Sequence, residues 1–388
     1  MTSLSTSQNS LFDPNIKHPL FPVLISGCPL SSNDLVQYPL EIGYDYSKVD
    51  HSIFSTKATS LNHWQQLLPP IDQAHSLGEG NTPLLKAPRL KTQYALPNDL
   101  FLKIESANPT WSHKDRYNFC VINAAVKSNA KGIVVASSGN HGASAAAYAA
   151  RAGLHCTVIV SHDCPPHILK FISSYNAEIV KVSHDLRWPT LRQYVLEKGY
   201  HPASNYTDTP TGHPFGVEGY KTIAYELFQQ LHFSAPGAVL VPTGYGELFF
   251  GIWKGFNELK TLGLIDAMPV MVSCEPMCGG PLHKAYISGE FPISLETFST
   301  KAYAIACRKT GYRGLYVLKK ALSQTLLVSD PDMLEAQTLL GAEGVWSELS
   351  SASSVAALKH LDLTQISPKK PIVSIITSSG FKDLIENQ

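Results

Sequence analysis

Gly132-Ile133-Val134-Val135-Ala136-Ser137-Ser138-Gly139-Asn140-His141-Gly142-Ala143-Ser144-Ala145-Ala146-Ala147 divides into three parts with different physics. Residues 132–136 are a short apolar run with β-branched side chains and read as a buried strand. Residues 137–142 form a tight loop of small and polar residues. Residues 143–152 follow as a helix whose alanine-rich face can lie close on a sheet. The rhythm then repeats: residues 155–160 read as a strand, 165–175 as a helix and 179–182 as a strand. This alternation is the βαβ signature of a parallel sheet. Two further junctions follow the same plan. The strand at 239–242 runs into Thr243-Gly244-Tyr245-Gly246-Glu247-Leu248 and a helix that continues to residue 259. The strand at 372–376 runs into Thr377-Ser378-Ser379-Gly380. The class is α/β, with neither an internal repeat nor a low-complexity tract.

Composition bounds the function. The 388 residues are 44% hydrophobic and only 16% charged, enough for two or three domains or one large α/β enzyme. The 31 basic and 31 acidic side chains cancel, so no global field draws in nucleic acid or an anionic membrane. The most apolar stretch, 142–160, is broken by Arg151 and His155 and falls short of a membrane span. No basic segment leads into a long apolar one at the start, so a cytoplasmic location is expected. Seven cysteines, an odd count, fit reduced thiols better than a disulfide framework. Residues 1–75 are rich in Ser, Asn and Pro and read as an ordered arm laid over a domain.

Three loops are the candidates for chemistry. In the 244–248 turn, glycine lets the backbone approach a ligand, and the helix start offers free N–H groups, for which phosphate is the natural guest. A plain strand-to-helix turn explains the same residues equally well. The N–H groups of 137–142 can hold a carboxylate, and Asn140 can bond a ring hydroxyl; a tight turn is the simpler account. Lys114, between His113 and Asp115-Arg116 at the start of a helix, ordinarily marks a solvated face.

The order of these segments is more specific than any one of them. Glu79-Gly80-Asn81-Thr82-Pro83-Leu84, Asn108-Pro109-Thr110-Trp111-Ser112-His113-Lys114-Asp115-Arg116, the 137–142 loop, Glu218-Gly219-Tyr220-Lys221-Thr222, the 244–248 turn, Glu343-Gly344 leading to Glu348, and Thr377-Ser378-Ser379-Gly380-Phe381-Lys382-Asp383 occur in that sequence. From about residue 77 to 383 the chain resembles the fold-type II (tryptophan synthase β) group of pyridoxal-phosphate enzymes, most closely threonine synthase and its relatives. The resemblance implies a two-domain, three-layer αβα fold with pyridoxal 5'-phosphate as cofactor. It implies that Lys114 carries the cofactor aldehyde and serves as the base at the substrate Cα. Asn140 would contact the cofactor's 3' oxygen, and Gly244, Tyr245, Gly246, Glu247 and Leu248 would hold its phosphate. Thr377 would face the pyridine nitrogen, and Ser137, Ser138, Gly139 and His141 would bind substrate. A hydroxyl at the ring nitrogen makes a weaker electron sink than a carboxylate partner, so elimination and replacement are expected in place of transamination.

Departures from the family pattern surround Lys114. Trp111 stands where the family has Gly, His113 where it has Phe, and Tyr117 where Gly is common; all three are expected to narrow or reshape the pocket. His141 is either an acid–base group or a loop residue bonded to backbone, the latter being the expectation. Leu40-Glu41-Ile42-Gly43-Tyr44-Asp45-Tyr46 resembles the end of a zinc ribbon found in relatives. Only Cys28 remains there as a candidate ligand, against the four a closed site needs, so no metal is expected. Cys274, Cys278 and His283 also fall short of a tetrahedral set.

The resulting expectation is an arm, 1–75; a large cofactor domain, 76–120 with 215–388; and a small substrate-closing domain, 121–214. The activity expected is a lyase or synthase acting on a small amino acid with a β- or γ-leaving group, such as O-phosphohomoserine. The alternative is β-elimination or β-replacement on a serine or threonine derivative. A homodimer is the family's habit.

Overall fold

The computed structural model describes residues 2–296 and 299–384. The arm opens with β1 (Ser5–Ser10), β2 (Lys17–Pro19) and β3 (Leu40–Tyr44), followed by a single helical turn, α1 (Ser52–Ser55). The three strands form an antiparallel sheet in the order β2-β1-β3. Cys28 is buried, with His18 Nε2 3.4 Å from its Sγ. Among the described residues no cluster of three or more His, Cys, Asp or Glu side chains is arranged to hold a metal ion.

The chain then lays down β4 (Leu84–Lys86), α2 (Pro88–Gln93) and β5 (Leu100–Ile104), and enters α3 (Lys114–Lys127). A contiguous unit follows: β6 (Ile133–Ala136), α4 (Asn140–Arg151), β7 (Cys156–Ser161), α5 (Pro166–Ser173), β8 (Glu178–Val182), α6 (Arg187–Lys198) and β9 (His201–Pro202). Its four strands are parallel in the order β8-β7-β6-β9. The helix after β6 starts at Asn140, three residues earlier than the alanine run implies. Its first turn, Asn140-His141-Gly142, lies beside a cavity and carries no apolar side chain, so apolar periodicity alone misses it. The alanines behind it do pack closely. A Cβ on Gly142 would sit 2.6 Å from Ser137 O and 3.0 Å from Val158 Cγ1, so only glycine permits this approach of helix to strand.

The remaining chain contains α7 (Pro214–Gln230), β10 (Ala238–Pro242), α8 (Glu247–Thr261), β11 (Val270–Pro276), α9 (Pro281–Ser288), α10 (Tyr312–Lys320), β12 (Ser323–Val328), α11 (Asp330–Ala342), α12 (Leu349–Ala356) and β13 (Ile372–Ile376). The second large sheet has the order β12-β11-β10-β13-β5-β4, parallel except for β4 at its edge. Every residue of β10, β11 and β13 is buried, as expected of parallel strands covered on both faces. No described helix is long and apolar enough to cross a membrane.

Buried ion pairs fix how the helices sit. Arg116 Nε donates to Glu105 Oε2 at 2.7 Å and its Nη1 to Glu226 Oε1 at 2.5 Å; Lys103 Nζ reaches Glu226 Oε2 at 2.6 Å. A second set, Lys221 and Lys254 on Glu218, carries the arm: Tyr44 Oη donates to Glu218 Oε2 at 3.0 Å, and Lys254 Nζ to Ile42 O at 2.6 Å.

Candidate active site

Lys114 is the first residue of α3, and its neighbours are not solvated. Asp115 accepts from Thr110 N and Ser144 Oγ, each at 2.6 Å, and Arg116 lies in the network described above. Both are fully buried. The charged triplet that resembles an exposed helix face is therefore an anchor that holds Lys114 in place. The Lys114 side chain enters a cavity of about 270 Å³, where Nζ lies 3.1 Å from Tyr220 Oη. Burial lowers the lysine pKa; the nearby Glu247 carboxyl opposes that shift. A lysine with a lowered pKa is the more readily available as a base.

Two strand-to-helix turns face this cavity from different sheets. From the four-stranded sheet come Ser137, Ser138, Gly139, Asn140 and His141. Ser137 N continues the strand ladder to Ile159 O at 3.0 Å. The Ser138 hydroxyl is 3.0 Å from Ser161 Oγ and accepts from Ser161 N at 3.0 Å, which pins the turn. From the six-stranded sheet come Gly244, Tyr245, Gly246, Glu247 and Leu248. Gly246 has φ +92, and a Cβ there would lie 2.7 Å from the backbone of Gly314. The helix α8 begins at Glu247, where N–H groups of a first turn lack intrahelical acceptors. The Glu247 carboxylate turns aside and accepts from Asn205 Nδ2 at 2.8 Å. The amides of the turn are the candidate anion cradle, and the Glu247 carboxylate at the same cavity is tied to Asn205.

Thr377 ends β13 and lines the same cavity, its Oγ1 2.7 Å from Ser351 Oγ. Asn140 Nδ2 donates to Glu348 Oε2 at 2.9 Å, and Asn140 Oδ1 accepts from Ser378 Oγ at 2.9 Å. Burial first, and then the charge of Asp383, push the Glu348 carboxyl up to about 7.

Of the three departures beside Lys114, His113 and Tyr117 line the cavity and Trp111 does not. Trp111 has φ +66, and its half-exposed ring stacks on Phe171 of α5 at 5.1 Å and lies 5.6 Å from Phe381. The left-handed backbone turns the ring to the outer rim, so it does not narrow the pocket. His113 Nδ1 is 3.2 Å from Thr377 O, and burial holds its pKa well below the imidazole range. Burial first, and then the Lys114 charge, hold His141 at about 3. Its Nε2 is buried without a partner, and its ring meets Tyr117 edge-on at 5.2 Å.

The lining also includes Arg187, Trp188, Asn205, Tyr303 and Cys307, none of which stood out in the sequence. No motif marks them; they lie on α6 and on loops that only the packing of the two sheets brings to the cavity. Tyr220 lies in the 218–222 stretch, where no local pattern signals that its hydroxyl meets the lysine.

A half-buried lysine reaching into the cavity, an amide-lined turn, a hydroxyl at a strand end and an asparagine on the facing turn together fit pyridoxal phosphate, with its aldehyde, phosphate and ring polar atoms. Residues 75–378 match the pyridoxal-phosphate dependent enzyme family, and the chain belongs to it. It is a lyase-class enzyme with pyridoxal 5'-phosphate as its cofactor. It is similar to threonine synthase of Methanocaldococcus jannaschii, 32% identical over 359 residues that cover 89% of this chain and 87% of that protein. Threonine synthase of Synechocystis is 33% identical, with 83% of each chain covered. Among solved structures, maize serine racemase superposes with a TM-score of 0.67 at 20% identity, covering 79% of this chain and 89% of that one. A fungal L-serine ammonia-lyase from Rhizomucor miehei gives 0.68 at 22% identity, covering 77% and 94%. These neighbours share the fold-type II architecture.

Proposed function

We propose that the chain is a threonine synthase-like lyase. It would act on a small amino acid with a γ- or β-leaving group, O-phosphohomoserine in the leading case, releasing phosphate and adding water. The observation that carries this is the position of Lys114 Nζ, inside a cavity bounded by the 137–141 turn on one side and by the 244–248 turn and Thr377 on the other. Threonine synthases that share about a third of its residues over most of its length support this reading.

When bound, pyridoxal phosphate supplies the electron sink for negative charge at an amino acid's Cα. Lys114 would hold its aldehyde, the amides of Gly244 to Leu248 its phosphate, Asn140 its 3' oxygen and Thr377 its ring nitrogen. Once free, the Lys114 amine takes the Cα proton, its basicity set by burial. The opening turn of α4 orients the substrate carboxylate through its N–H groups. Tyr220 Oη, 3.1 Å from Lys114 Nζ, holds the amine in line between proton transfers.

Residues 121–214 form the small domain in this proposal, and substrate carboxylate on the 137–141 turn draws it against the large one, 76–120 with 215–388, excluding water. We further propose a cytoplasmic homodimer. His113 and Tyr117 at the cavity wall favour a compact substrate, which keeps β-elimination or replacement on a serine or threonine derivative as the second reading.

The test is phosphate release from O-phospho-L-homoserine by the purified holoenzyme, with threonine identified by mass spectrometry. Ammonia and a 2-oxo acid formed from serine or threonine, with no phosphate release, would decide for the second reading.

A further inference from the structure

With Lys114 assigned to the cofactor, Arg187 is the other lysine or arginine among the described residues that line the cavity. His113 and His141 do not serve as cations, because burial and the neighbouring Lys114 keep both neutral. The lining glutamates, Glu247 at the start of α8 and Glu348 before α12, are bonded to Asn205 and Asn140.

Arg187 is the first residue of α6, on the same four-stranded unit as the 137–141 turn. Its Nε donates to His184 O at 3.3 Å, and its Nη2 is 2.6 Å from His184 Nε2. Among the described residues no carboxylate is within ion-pair distance of Arg187 and none supplies an acceptor to Nη1. The two fully buried arginines lie outside the cavity lining, and Arg313 Nη1 is itself without a hydrogen-bond partner among the described residues. Arg116 is saturated by Glu105 and Glu226, and Arg313 is bonded to the carbonyls of Thr211 and Leu40. Burial lowers the Arg187 pKa without removing its charge. The guanidinium is half-buried at the cavity wall and held by one neighbour, with Asp163 and Asp185 near enough to act on it but not paired with it. Its neighbour Trp188 reaches toward Tyr245 of the facing turn, the rings 6.0 Å apart, so this corner lies where the two sheets meet.

We propose that Arg187 is a specificity-determining residue that binds an anionic group on the substrate's side chain, the phosphate of an O-phospho amino acid being the ligand its planar fork fits. This rests on the functional reading above. The 137–141 turn and Arg187 would then hold the two ends of one substrate from one unit, so a substrate anionic at both ends closes the cleft better than one anionic at its carboxylate alone.

The experiment compares wild-type, Arg187→Gln and Arg187→Lys holoenzymes on O-phospho-L-homoserine and O-acetyl-L-homoserine. Binding is measured by calorimetry alongside turnover, and cofactor content by absorbance. The loss of one charge-assisted bond predicts a rise of about 10- to 100-fold in the Kd and KM of the phosphorylated compound for Arg187→Gln. Binding of the acetylated compound and cofactor content should change less than about twofold, and Arg187→Lys should recover part of the loss. Equal effects on both compounds, or none on the phosphorylated one, overturn the proposal, as does a wild type that binds neither. A wild type that binds O-phospho-L-homoserine through Arg187 but releases no phosphate leaves this assignment standing and removes the threonine synthase-like reaction instead.

Discussion

Asn140 and Glu348, 208 residues apart in sequence, meet at 2.9 Å and join the first turn of α4 to the start of α12. Ser378 completes the contact by donating to the Asn140 carbonyl, so the asparagine is held from both ends of its amide. The partner that fixes it is a carboxyl poised near neutrality.

That carboxyl makes stability depend on pH. Burial raises Glu348 from 4.5 to about 7, with the Asp383 charge adding to the shift. The folded state therefore binds this proton more tightly than the unfolded chain does. The stabilisation is complete below about 4.5 and is lost as pH rises through about 7. Glu348→Gln keeps the amide contact and cannot ionise. Its Tm relative to wild type should rise between pH 5 and pH 8; a constant or falling difference would contradict the assignment.

Glu226 has the opposite sign. Burial alone would raise its pKa, but the charges of Arg116 and Lys103 outweigh burial and bring it to about 2. Its contribution is present above 4.5 and is lost as pH falls toward 2. Glu226→Gln leaves Lys103 buried beside a neutral amide and should cost about 3–5 kcal/mol at pH 7. Urea unfolding of both proteins at pH 7 and pH 3 should show a smaller gap at pH 3.

The 244–248 turn tolerates no side chain at Gly246. With φ at +92 and Gly314 backbone 2.7 Å from any Cβ, Gly246→Ala forces strain of about 1–3 kcal/mol into the proposed phosphate cradle. Pyridoxal phosphate titration followed by absorbance should give a Kd about tenfold weaker or more. Unchanged affinity would place the phosphate elsewhere.

Trp111 offers a measurement of backbone strain. A non-glycine residue in the left-handed region costs about 1–2 kcal/mol, whereas a stacked aromatic pair returns about 0.5–1.5 kcal/mol. Trp111→Ala keeps the strain and loses the stack; Trp111→Gly loses both. The alanine variant should be the less stable of the two by about 1 kcal/mol in chemical denaturation. Equal stabilities would mean that the turn is relaxed.

Lys114→Ala should abolish the visible absorbance of the lysine-bound cofactor and reduce turnover by at least about 10²-fold, the scale of a lost general base. Turnover that persists with the spectrum intact would assign the attachment to another amine.

The amino-acid sequence by itself determined the parallel strands, the two glycine-bearing turns and the lysine, because apolar runs and turn residues are local and each strand-to-helix junction is written in consecutive residues. It also placed the family, through the order of those segments. Only the tertiary structure decided that Asp115 and Arg116 are buried anchors, that the Trp111 ring turns outward, that Glu247 bonds Asn205, and that Arg187 reaches the cavity. The direction of each of these side chains depends on backbone and charges contributed by distant segments, and no local periodicity encodes where such segments meet.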